Sequence, residues 1–257
     1  MILQNRTAWI IGGGNGLGRE IARRYAREGA RVAVSDLNEP AAAATVAQLE
    51  TPESHLALRL DISDAKACRE TADQIAARFS KLDICVNCAA VCLVDPILEV
   101  TPERWDKVFA VNVRGAFFAM QAAARPMLAQ KYGRIIHVSS PASKLGFPNF
   151  ASYAASKAAD DSLVRSAAVA WAPHGITVNA LVPGRMTGGM IDELERDLQR
   201  VTGKSAEELK EDRTKGLPMG RRVDPAEVAA AAVWLASTEA AYVTAERFNF
   251  SGGMELA

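Results

Sequence analysis

Residues 7–18 read TAWIIGGGNGLG, an apolar run that ends in a cluster of glycines. The run predicts a buried strand over residues 7–12, and the pattern that follows predicts a helix over residues 17–28. Glycine lets the backbone turn sharply and approach a ligand where a side chain would collide. The free N–H groups at the start of the helix favour a phosphate there. The stretch therefore predicts a strand–turn–helix unit that binds the pyrophosphate of a dinucleotide.

The alternation of strand and helix continues along the rest of the chain. Further strands are predicted at residues 31–36, 55–61, 83–87, 133–139, 175–181 and 247–250, and further helices at residues 39–49, 65–79, 102–130, 151–171 and 225–236. Most of the strands are continuously apolar, which is typical of strands buried on both faces of a parallel sheet. We therefore predict one α/β domain over residues 1–257. Its fold would be a doubly wound, Rossmann-type parallel sheet of about seven strands with helices on both faces.

Residues 185–222 form a polar, charged and mostly helical insertion between the sixth strand and the next long helix. Ligands of doubly wound sheets bind beyond the carboxyl ends of the strands, which is where this insertion begins. The position predicts a lid over the substrate site. A solvated surface helix is the alternative.

The composition argues against several classes of protein. Apolar residues make up 49% of the chain and charged residues 23%, as in ordinary globular proteins and unlike disordered chains. The formal net charge of +0 argues against a nucleic-acid partner or an anionic membrane surface. No apolar run approaches the roughly 20 residues that span a bilayer, and the N-terminus lacks the pattern of a secretory signal. We expect a cytoplasmic protein.

Three of the four cysteines lie close together in the sequence. Cys85 and Cys88 form a C-x-x-C pair of the kind that a redox or zinc site uses, and Cys92 follows. However, Cys85 falls in a predicted buried strand, where cysteine behaves as a small apolar residue. The sequence contains no second C-x-x-C pair, and its three histidines are scattered. We predict no metal site.

The second predicted strand ends in Asp36, at the distance from Gly16 expected for the acid that binds the adenosine ribose. Its carboxylate would accept hydrogen bonds from the ribose hydroxyls and repel the extra phosphate of NADP. Neither Asn15 nor Leu37 offers a positive charge to neutralise that phosphate. The sequence therefore favours NAD over NADP.

Tyr153 and Lys157 lie about one helical turn apart in the predicted helix 151–171, so their side chains share a face. An ammonium beside a phenol stabilises the phenolate, and this brings a tyrosine toward use as a general acid or base. Upstream, Ser139 and Ser140 end an apolar strand at the sheet edge where the nicotinamide would lie. A hydroxyl there can hydrogen-bond a carbonyl oxygen as charge develops on it.

With these residues the chain resembles the short-chain dehydrogenases and reductases over nearly its whole length. The matching motifs, in the order and spacing of the family, are the glycine turn, Asp36, Asp61-Ile62, Asn87, Val111-Asn112-Val113, Ser140, Tyr153, Lys157 and Pro183-Gly184. The resemblance implies an enzyme that transfers a hydride between a nicotinamide cofactor and a carbonyl or alcohol carbon. It also implies a homo-oligomer, either a tetramer or a dimer, assembled through the helices at 102–130 and 151–171.

The resemblance implies a role for each matching residue. Tyr153 would be the general acid or base, Lys157 would lower its pKa and bind the nicotinamide ribose, and Ser140 would polarise the substrate oxygen. Asn112 would hold a water that relays protons from Lys157. The expected cofactor contacts are Gly12, Asn15, Gly16, Leu17, Gly18, Asp36, Leu37, Asp61, Ile62, Asn87, Ala89, Tyr153, Lys157, Pro183, Gly184 and Met186.

The nicotinamide end departs from the family pattern at three positions. Ala90 stands where a glycine is usual, Gly188 where a threonine often binds the carboxamide, and Ser251 where an aspartate is common. None of these changes removes a catalytic group. We expect a local change of geometry near the nicotinamide ribose.

The substrate pocket is predicted to be mostly apolar. The residues expected to face the substrate are Ser140, Ala142, Phe147, Phe150 and Tyr153. Lys144 and Arg185 could meet an anionic group, but long basic side chains usually extend into solvent, so the sequence favours a neutral substrate.

The sequence therefore predicts an NAD-dependent dehydrogenase that interconverts a secondary alcohol, or a diol, and a ketone. An NADPH-dependent 3-oxoacyl reductase of the same family is one alternative, and Asp36 argues against it. A nucleotide-binding or scaffold protein without catalysis is another, because a fold does not imply a function. The presence of Ser140, Tyr153 and Lys157 argues against that alternative.

Overall fold

The computed structural model describes residues 1–188 and 191–255. Residues 189–190 of the predicted lid segment and residues 256–257 lie outside this range. Within the described part, the strands are β1 (Thr7–Ile11), β2 (Arg31–Asp36), β3 (Leu56–Arg59), β4 (Ile84–Asn87), β5 (Gly133–Val138), β6 (Ile176–Pro183) and β7 (Arg247–Phe250). They pair in parallel in the order β3-β2-β1-β4-β5-β6-β7. This confirms the predicted doubly wound sheet.

Helices cover both faces of the sheet. They are α1 (Gly16–Arg27), α2 (Glu39–Val46), α3 (Ala65–Phe79), α4 (Pro102–Phe109), α5 (Ala116–Gln130), α6 (Ala151–Trp171), α7 (Ile191–Thr202), α8 (Ala206–Thr214) and α9 (Pro225–Ala236). On one face, Ile21 of α1 and Val228 of α9 belong to one apolar core. On the other face, Ile75 of α3, Met120 of α5 and Val164 of α6 belong to a second core. Helices α1, α3, α5, α6 and α9 thus bury apolar side chains against the sheet, and the predicted layers are confirmed.

The order of the strands reverses at β1. This strand pairs with β2 on one side and with β4 on the other, so the chain leaves β1 and β4 in different directions. In doubly wound sheets, this reversal opens a crevice at the carboxyl ends of the strands, where ligands bind. The fold therefore places the glycine turn after β1 at the mouth of such a crevice.

Most element bounds lie close to those predicted, and two differences have a clear cause. β3 starts later than residue 55 because the Nδ1 atom of His55 accepts a hydrogen bond from the N–H of Val32 at 3.0 Å. The side chain of His55 thus takes the place of a backbone partner. β6 continues beyond residue 181 because Pro183 still pairs with Phe250 of β7.

The prediction of one helix over residues 102–130 is wrong. A π-helix, Ala110–Gly115, separates α4 from α5. This wider turn brings the side chain of Asn112 next to the backbone of Val91. The N–H of Val91 donates a hydrogen bond to Asn112 Oδ1 at 2.7 Å. In return, Asn112 Nδ2 donates to the carbonyl oxygen of Val91 at 2.8 Å. Apolar periodicity does not reveal such a turn, because π-turns depend on contacts between distant segments and are frequent at functional sites.

Among the helices of the described residues, none is both long and apolar enough to cross a bilayer. Trp105 of α4, Phe117 of α5 and Val169 of α6 are large apolar side chains that remain partly exposed. The homo-oligomer expected from the sequence stays a prediction.

Replacing Tyr25 with Phe should lower the free energy of unfolding by about 1 kcal/mol, the typical net value of one hydrogen bond. Tyr25 is fully buried between α1 and α9, and its hydroxyl donates to the carbonyl oxygen of Ala232 at 2.7 Å. Tyr242 is fully exposed, so Tyr242→Phe serves as the control. Denaturant unfolding monitored by circular dichroism measures both variants. Equal free energies of unfolding for Tyr25→Phe and Tyr242→Phe would contradict a stabilising hydrogen bond from Tyr25 to Ala232.

Candidate active site

A cavity of about 500 Å³ runs along the carboxyl edge of the sheet. It begins at the glycine turn, passes the start of α6 and reaches α7 and α8. The predicted residues that line it are Gly12, Asn15, Gly16, Leu17, Gly18, Ser140, Ala142, Phe147, Phe150, Tyr153, Lys157, Pro183, Gly184 and Met186. The cavity therefore joins the predicted cofactor turn, the predicted catalytic groups and all of the predicted substrate contacts.

Seven predicted site residues are not part of the cavity lining: Asp36, Leu37, Asp61, Ile62, Asn87, Ala89 and Asn112. Several of them support the edge of the crevice instead. Asp61 Oδ1 accepts hydrogen bonds from both the N–H and the hydroxyl of Ser63. Asn87 Oδ1 accepts the N–H of Ala89 at 3.1 Å and so shapes the turn after β4.

The glycine turn brings the start of α1 very close to the end of β1. A Cβ atom on Gly18 would lie 2.2 Å from the carbonyl oxygen of Gly12, so no larger residue fits there without a backbone shift. The side chain of Asn15 makes no capping hydrogen bond to the first turn of α1. The first N–H groups of α1 are therefore open to a ligand, and together with the helix dipole they suit a phosphate.

The carboxylate of Asp36 holds this turn in place. Its Oδ2 atom accepts the N–H of Gly14 at 2.9 Å, and its Oδ1 atom accepts the N–H of Asn38 at 3.0 Å. Each carboxylate oxygen has two lone pairs, so both can still accept hydrogen bonds from the hydroxyls of a ribose. The neighbouring Leu37 is exposed and carries no charge. This corner therefore fits a dinucleotide without a phosphate on its ribose.

Tyr153 lies in the first turn of α6, and its buried hydroxyl interacts with the side chain of Ser140. Burial raises the pKa of Tyr153, the neighbouring Cys92 raises it further, and the hydrogen bond with Ser140 lowers it. The Nζ atom of Lys157 is 6.0 Å from the centre of the Tyr153 ring and donates to the carbonyl oxygen of Val138 at 2.7 Å. Helix α6 thus brings the predicted acid or base and the predicted ammonium together at the end of β5.

A buried chain of polar groups continues behind Lys157. Its Nζ atom lies 3.5 Å from Asp160 Oδ2, and Asp160 Oδ1 lies 3.1 Å from His137 Nδ1. Burial opposes ionisation of Asp160, but His137 and Lys157 outweigh it and hold the pKa of Asp160 below its usual range. The sequence analysis missed both partners of Lys157. Asp160 follows Lys157 by three residues on the same face of α6, and this spacing could have identified the pair from the sequence. No local sequence pattern identifies His137 as a partner.

Asn112 has a structural setting that the sequence did not predict. Besides its two bonds to Val91, Asn112 Nδ2 donates to Ser156 Oγ at 3.0 Å. The hydroxyl of Ser156 donates in turn to the carbonyl oxygen of Tyr153 at 2.7 Å. The buried amide of Asn112 therefore connects the π-helix to the turn that carries Tyr153. Its expected role in holding a water stays a prediction.

Arg247 of β7 supports the loop after Ser140. Its Nη2 atom donates to the carbonyl oxygen of Ser140 and to Ser143 Oγ, both at 2.9 Å. Its Nε atom donates to Asp161 Oδ2 at 2.8 Å, and its Nη1 atom pairs with the buried carboxylate of Glu255. None of these long-range contacts leaves a local sequence pattern, and the analysis of the sequence missed them.

The predicted departures from the family pattern leave the catalytic groups in place. Ala90 lines the cavity and has a negative φ, so its methyl group adds no left-handed strain. Gly188 has a φ of +67° with open space around it. Ser251 accepts the N–H of Glu255 through its hydroxyl at 3.2 Å. Lys144, one of the two residues considered for an anion, lies 3.5 Å from the carboxylate of Glu255.

Cys85 of the C-x-x-C pair is buried in β4, and Cys88, which directly follows this strand, is half-buried. Burial raises the pKa of Cys88 to about 12, and burial also raises the pKa of Cys85. Both thiols are therefore protonated near neutral pH, which does not suit a thiolate ligand or nucleophile. Among the described residues, no group of three or more His, Cys, Asp or Glu side chains is arranged to hold a metal.

The substrate end of the cavity is formed by the β5–α6 loop and by the segment after β6. Phe147 and Phe150 make an edge-to-face pair with ring centres 6.1 Å apart. Leu198 of α7 and Leu209 of α8 pack in a small apolar cluster that includes Phe150. The helices of the predicted lid segment thus form one wall of the cavity.

Comparison with known proteins assigns the chain to a family. A family model described as enoyl-(acyl carrier protein) reductase matches residues 12–255. A sorbitol dehydrogenase of Cereibacter sphaeroides is 37% identical over 254 residues, which cover 98% of each protein. A (3R)-3-hydroxyacyl-CoA dehydrogenase of Homo sapiens is 36% identical over 266 aligned positions, again with 98% of each protein covered. The chain belongs to the short-chain dehydrogenase/reductase family.

A solved structure agrees with this family membership. The crystal structure of an NAD+-bound xylitol dehydrogenase superposes with a TM-score of 0.92 at 27% identity, and the match covers 98% of this chain and 100% of that one. The relatives of this short-chain dehydrogenase/reductase are named for different substrates, a sugar alcohol in one case and an acyl-CoA in another. The substrate must therefore be argued from the cavity itself.

Replacing Asp160 with Asn should move the pH dependence of alcohol oxidation to lower pH. The negative charge of Asp160 raises the pKa of Tyr153, so its removal lowers that pKa and makes the phenolate available at a lower pH. Measuring kcat from pH 6 to pH 10 tests this. The exposed carboxylate of Asp106 provides the control variant Asp106→Asn. An unchanged profile, or a shift to higher pH, would contradict the proposed influence of Asp160.

Proposed function

We propose that this chain catalyses the NAD-dependent interconversion of a secondary alcohol, or a diol, and a ketone. The chain is an oxidoreductase of the short-chain dehydrogenase/reductase family that acts on alcohol groups. One observation carries the proposal: a single cavity connects the glycine turn with the hydroxyls of Ser140 and Tyr153 and with the ammonium of Lys157. Binding of a dinucleotide and acid–base chemistry would then take place in one continuous space.

The residues around the glycine turn fit NAD. The first turn of α1 would bind the pyrophosphate, and the carboxylate of Asp36 would accept hydrogen bonds from the adenosine ribose. Asp61, Ile62, Asn87 and Ala89 would border the adenosine side, and Lys157, Pro183, Gly184 and Met186 the nicotinamide side. When bound, the nicotinamide accepts or supplies the hydride.

The protein itself would manage the proton and the position of the substrate. In the oxidative direction, the phenolate of Tyr153 accepts the hydroxyl proton of the alcohol. In the reductive direction, its phenol donates a proton to the oxygen of the ketone. The hydroxyl of Ser140 donates a hydrogen bond to the same oxygen, and Lys157 keeps a positive charge close to Tyr153. The apolar side chains of Phe147 and Phe150 would exclude water from the reacting carbon.

The alternative of an NADPH-dependent 3-oxoacyl reductase draws support from the hydroxyacyl-CoA relative. The corner at Asp36 opposes it, because a ribose phosphate would meet a carboxylate with no basic side chain at Asn15 or Leu37. A protein that binds nucleotides without catalysis is opposed by the arrangement of Ser140, Tyr153 and Lys157 in one cavity. We also propose that α7 and α8 act as a lid, because they form a wall of the substrate end.

Tyr153→Phe should bind NADH as tightly as the natural protein but lose most of its turnover, by roughly a hundredfold or more. The substitution removes the acid–base hydroxyl and leaves the ring in place. Fluorescence titration measures NADH binding, and a panel of secondary alcohols, diols and polyols with NAD measures turnover. Turnover equal to that of the natural protein would rule out the mechanism.

Asp36→Ala should raise the ratio of kcat/KM with NADP to kcat/KM with NAD by about tenfold, which corresponds to about 1.4 kcal/mol. The change removes the charge that repels the ribose phosphate. Asp36 also holds Gly14, so Asp36→Asn is the matched variant that removes the charge and keeps an oxygen for this contact. If neither variant gains activity with NADP, the assignment of Asp36 to the ribose is wrong.

A further inference from the structure

Three arginines meet where the chain leaves β6 and where α8 approaches the cavity: Arg185, Arg213 and Arg222. Among the described residues, Glu195 on α7 pairs with two of them, because its Oε1 atom lies 2.7 Å from Arg222 Nη1 and 3.9 Å from Arg213 Nε. Arg185 donates to the backbone carbonyl oxygen of Asp212 at 3.1 Å. The carboxylate of Asp212 is itself paired with Lys204. Among the described side chains, this arginine cluster therefore carries more positive than negative charge.

Two of the arginines are buried with unused donors. The side chains of Arg213 and Arg222 are only 13% and 11% exposed. Within the described residues, no hydrogen-bond partner is found for the Nε atom of Arg213, for the Nε and Nη2 atoms of Arg222, or for the Oε1 atom of Glu195. Burial and the neighbouring charge of Arg222 lower the pKa of Arg213. Buried guanidinium groups are normally paired, so an arrangement of this kind is suited to an anion that completes it.

The arginine cluster opens toward the reacting groups. Arg185 and Arg213 line the same cavity as Tyr153, and so does Cys92. The thiol of Cys92 lies within the electrostatic influence of both Lys157 and Arg213. One cavity thus contains both hydroxyl groups and guanidinium groups.

Apolar side chains also line this cavity. Phe150 comes from the loop before α6, and Leu198 and Leu209 come from α7 and α8. A ligand that contacts all three kinds of side chain would offer a hydroxyl or carbonyl group, an apolar part and a negative charge.

We propose that the substrate is a secondary hydroxy acid, or the corresponding keto acid, whose carboxylate binds Arg213. Arginine presents a planar pair of N–H donors that matches a carboxylate. This proposal deepens the proposed function and rests on it, because the hydroxyl of the acid is placed at Ser140 and Tyr153. The proposal replaces the expectation of a neutral substrate. Arg213 is buried in the cavity lining and does not extend into solvent.

A series of hydroxy acids of increasing length tests the proposal. Oxidation with NAD is measured for 3-hydroxybutanoate, 4-hydroxypentanoate and 5-hydroxyhexanoate, each beside its methyl ester. One of these acids should be long enough to contact both Tyr153 and Arg213. For that acid, kcat/KM should be about tenfold higher than for its methyl ester, which corresponds to about 1.4 kcal/mol. The ester is a matched control because it keeps the hydroxyl and the carbon chain and removes the charge.

The variant Arg213→Met should abolish the preference for the acid, so that kcat/KM for the acid falls to that of the methyl ester measured with the same variant. Arg213→Lys should restore part of the preference, because the charge returns without the planar pair of donors. Lys210→Met, an exposed position on the same helix, is the control for an effect of surface charge alone. Circular dichroism checks that each variant is folded. A preference for the acid that survives Arg213→Met would overturn the assignment.

Binding without turnover separates the two proposals. Calorimetric titration of 4-oxopentanoate and its methyl ester into the Tyr153→Phe protein with NADH needs no catalysis. Binding of the acid but not of the ester, lost in Arg213→Met, supports the anion site even if no alcohol is oxidised. Oxidation of neutral alcohols or diols with equal use of acids and esters would overturn the anion site and leave the proposed function intact.

Discussion

The parallel pairing of β1 with both β2 and β4 is the constraint on which the rest of the structure depends. A strand paired on both edges and covered on both faces leaves only its ends for a ligand. The order of the strands reverses at β1, so the chain diverges after β1 and β4 and opens the crevice at their carboxyl ends. The glycine turn then needs close backbone contact between Gly12 and Gly18, which directs the free N–H groups of α1 into that crevice.

The packing of α6 against β5 positions the proposed catalytic groups. Lys157 donates to the carbonyl oxygen of Val138 and contacts Asp160, which contacts His137 of β5. A buried ammonium is stable only with such partners, because an unpaired buried charge is very costly. The same contacts orient the helix and bring Tyr153 to Ser140. Structural stability and the position of the catalytic groups thus depend on the same polar contacts.

The cavity joins this reacting end to a second polar region on α7 and α8. It is lined by the hydroxyls of Ser140 and Tyr153, by the rings of Phe147 and Phe150, and by Arg213. The segment after β6 adds side chains to the cavity that are separate from the proposed catalytic groups. These side chains can therefore select a particular substrate for a catalytic centre of the family. Relatives named for a sugar alcohol and for an acyl-CoA show that members of this family differ in the substrates they are named for.

The sequence by itself determined the fold class, the order of the elements and the residues of the glycine turn, Ser140, Tyr153 and Lys157, because these follow from local patterns and fixed spacings. It could not reveal the π-helix around Asn112, whose cause is a contact with Val91 on a distant segment. It also could not reveal Arg247 or Arg213. A basic residue in a charged stretch looks solvated, and only tertiary packing decides whether it is buried, which atoms it meets and which donors remain free.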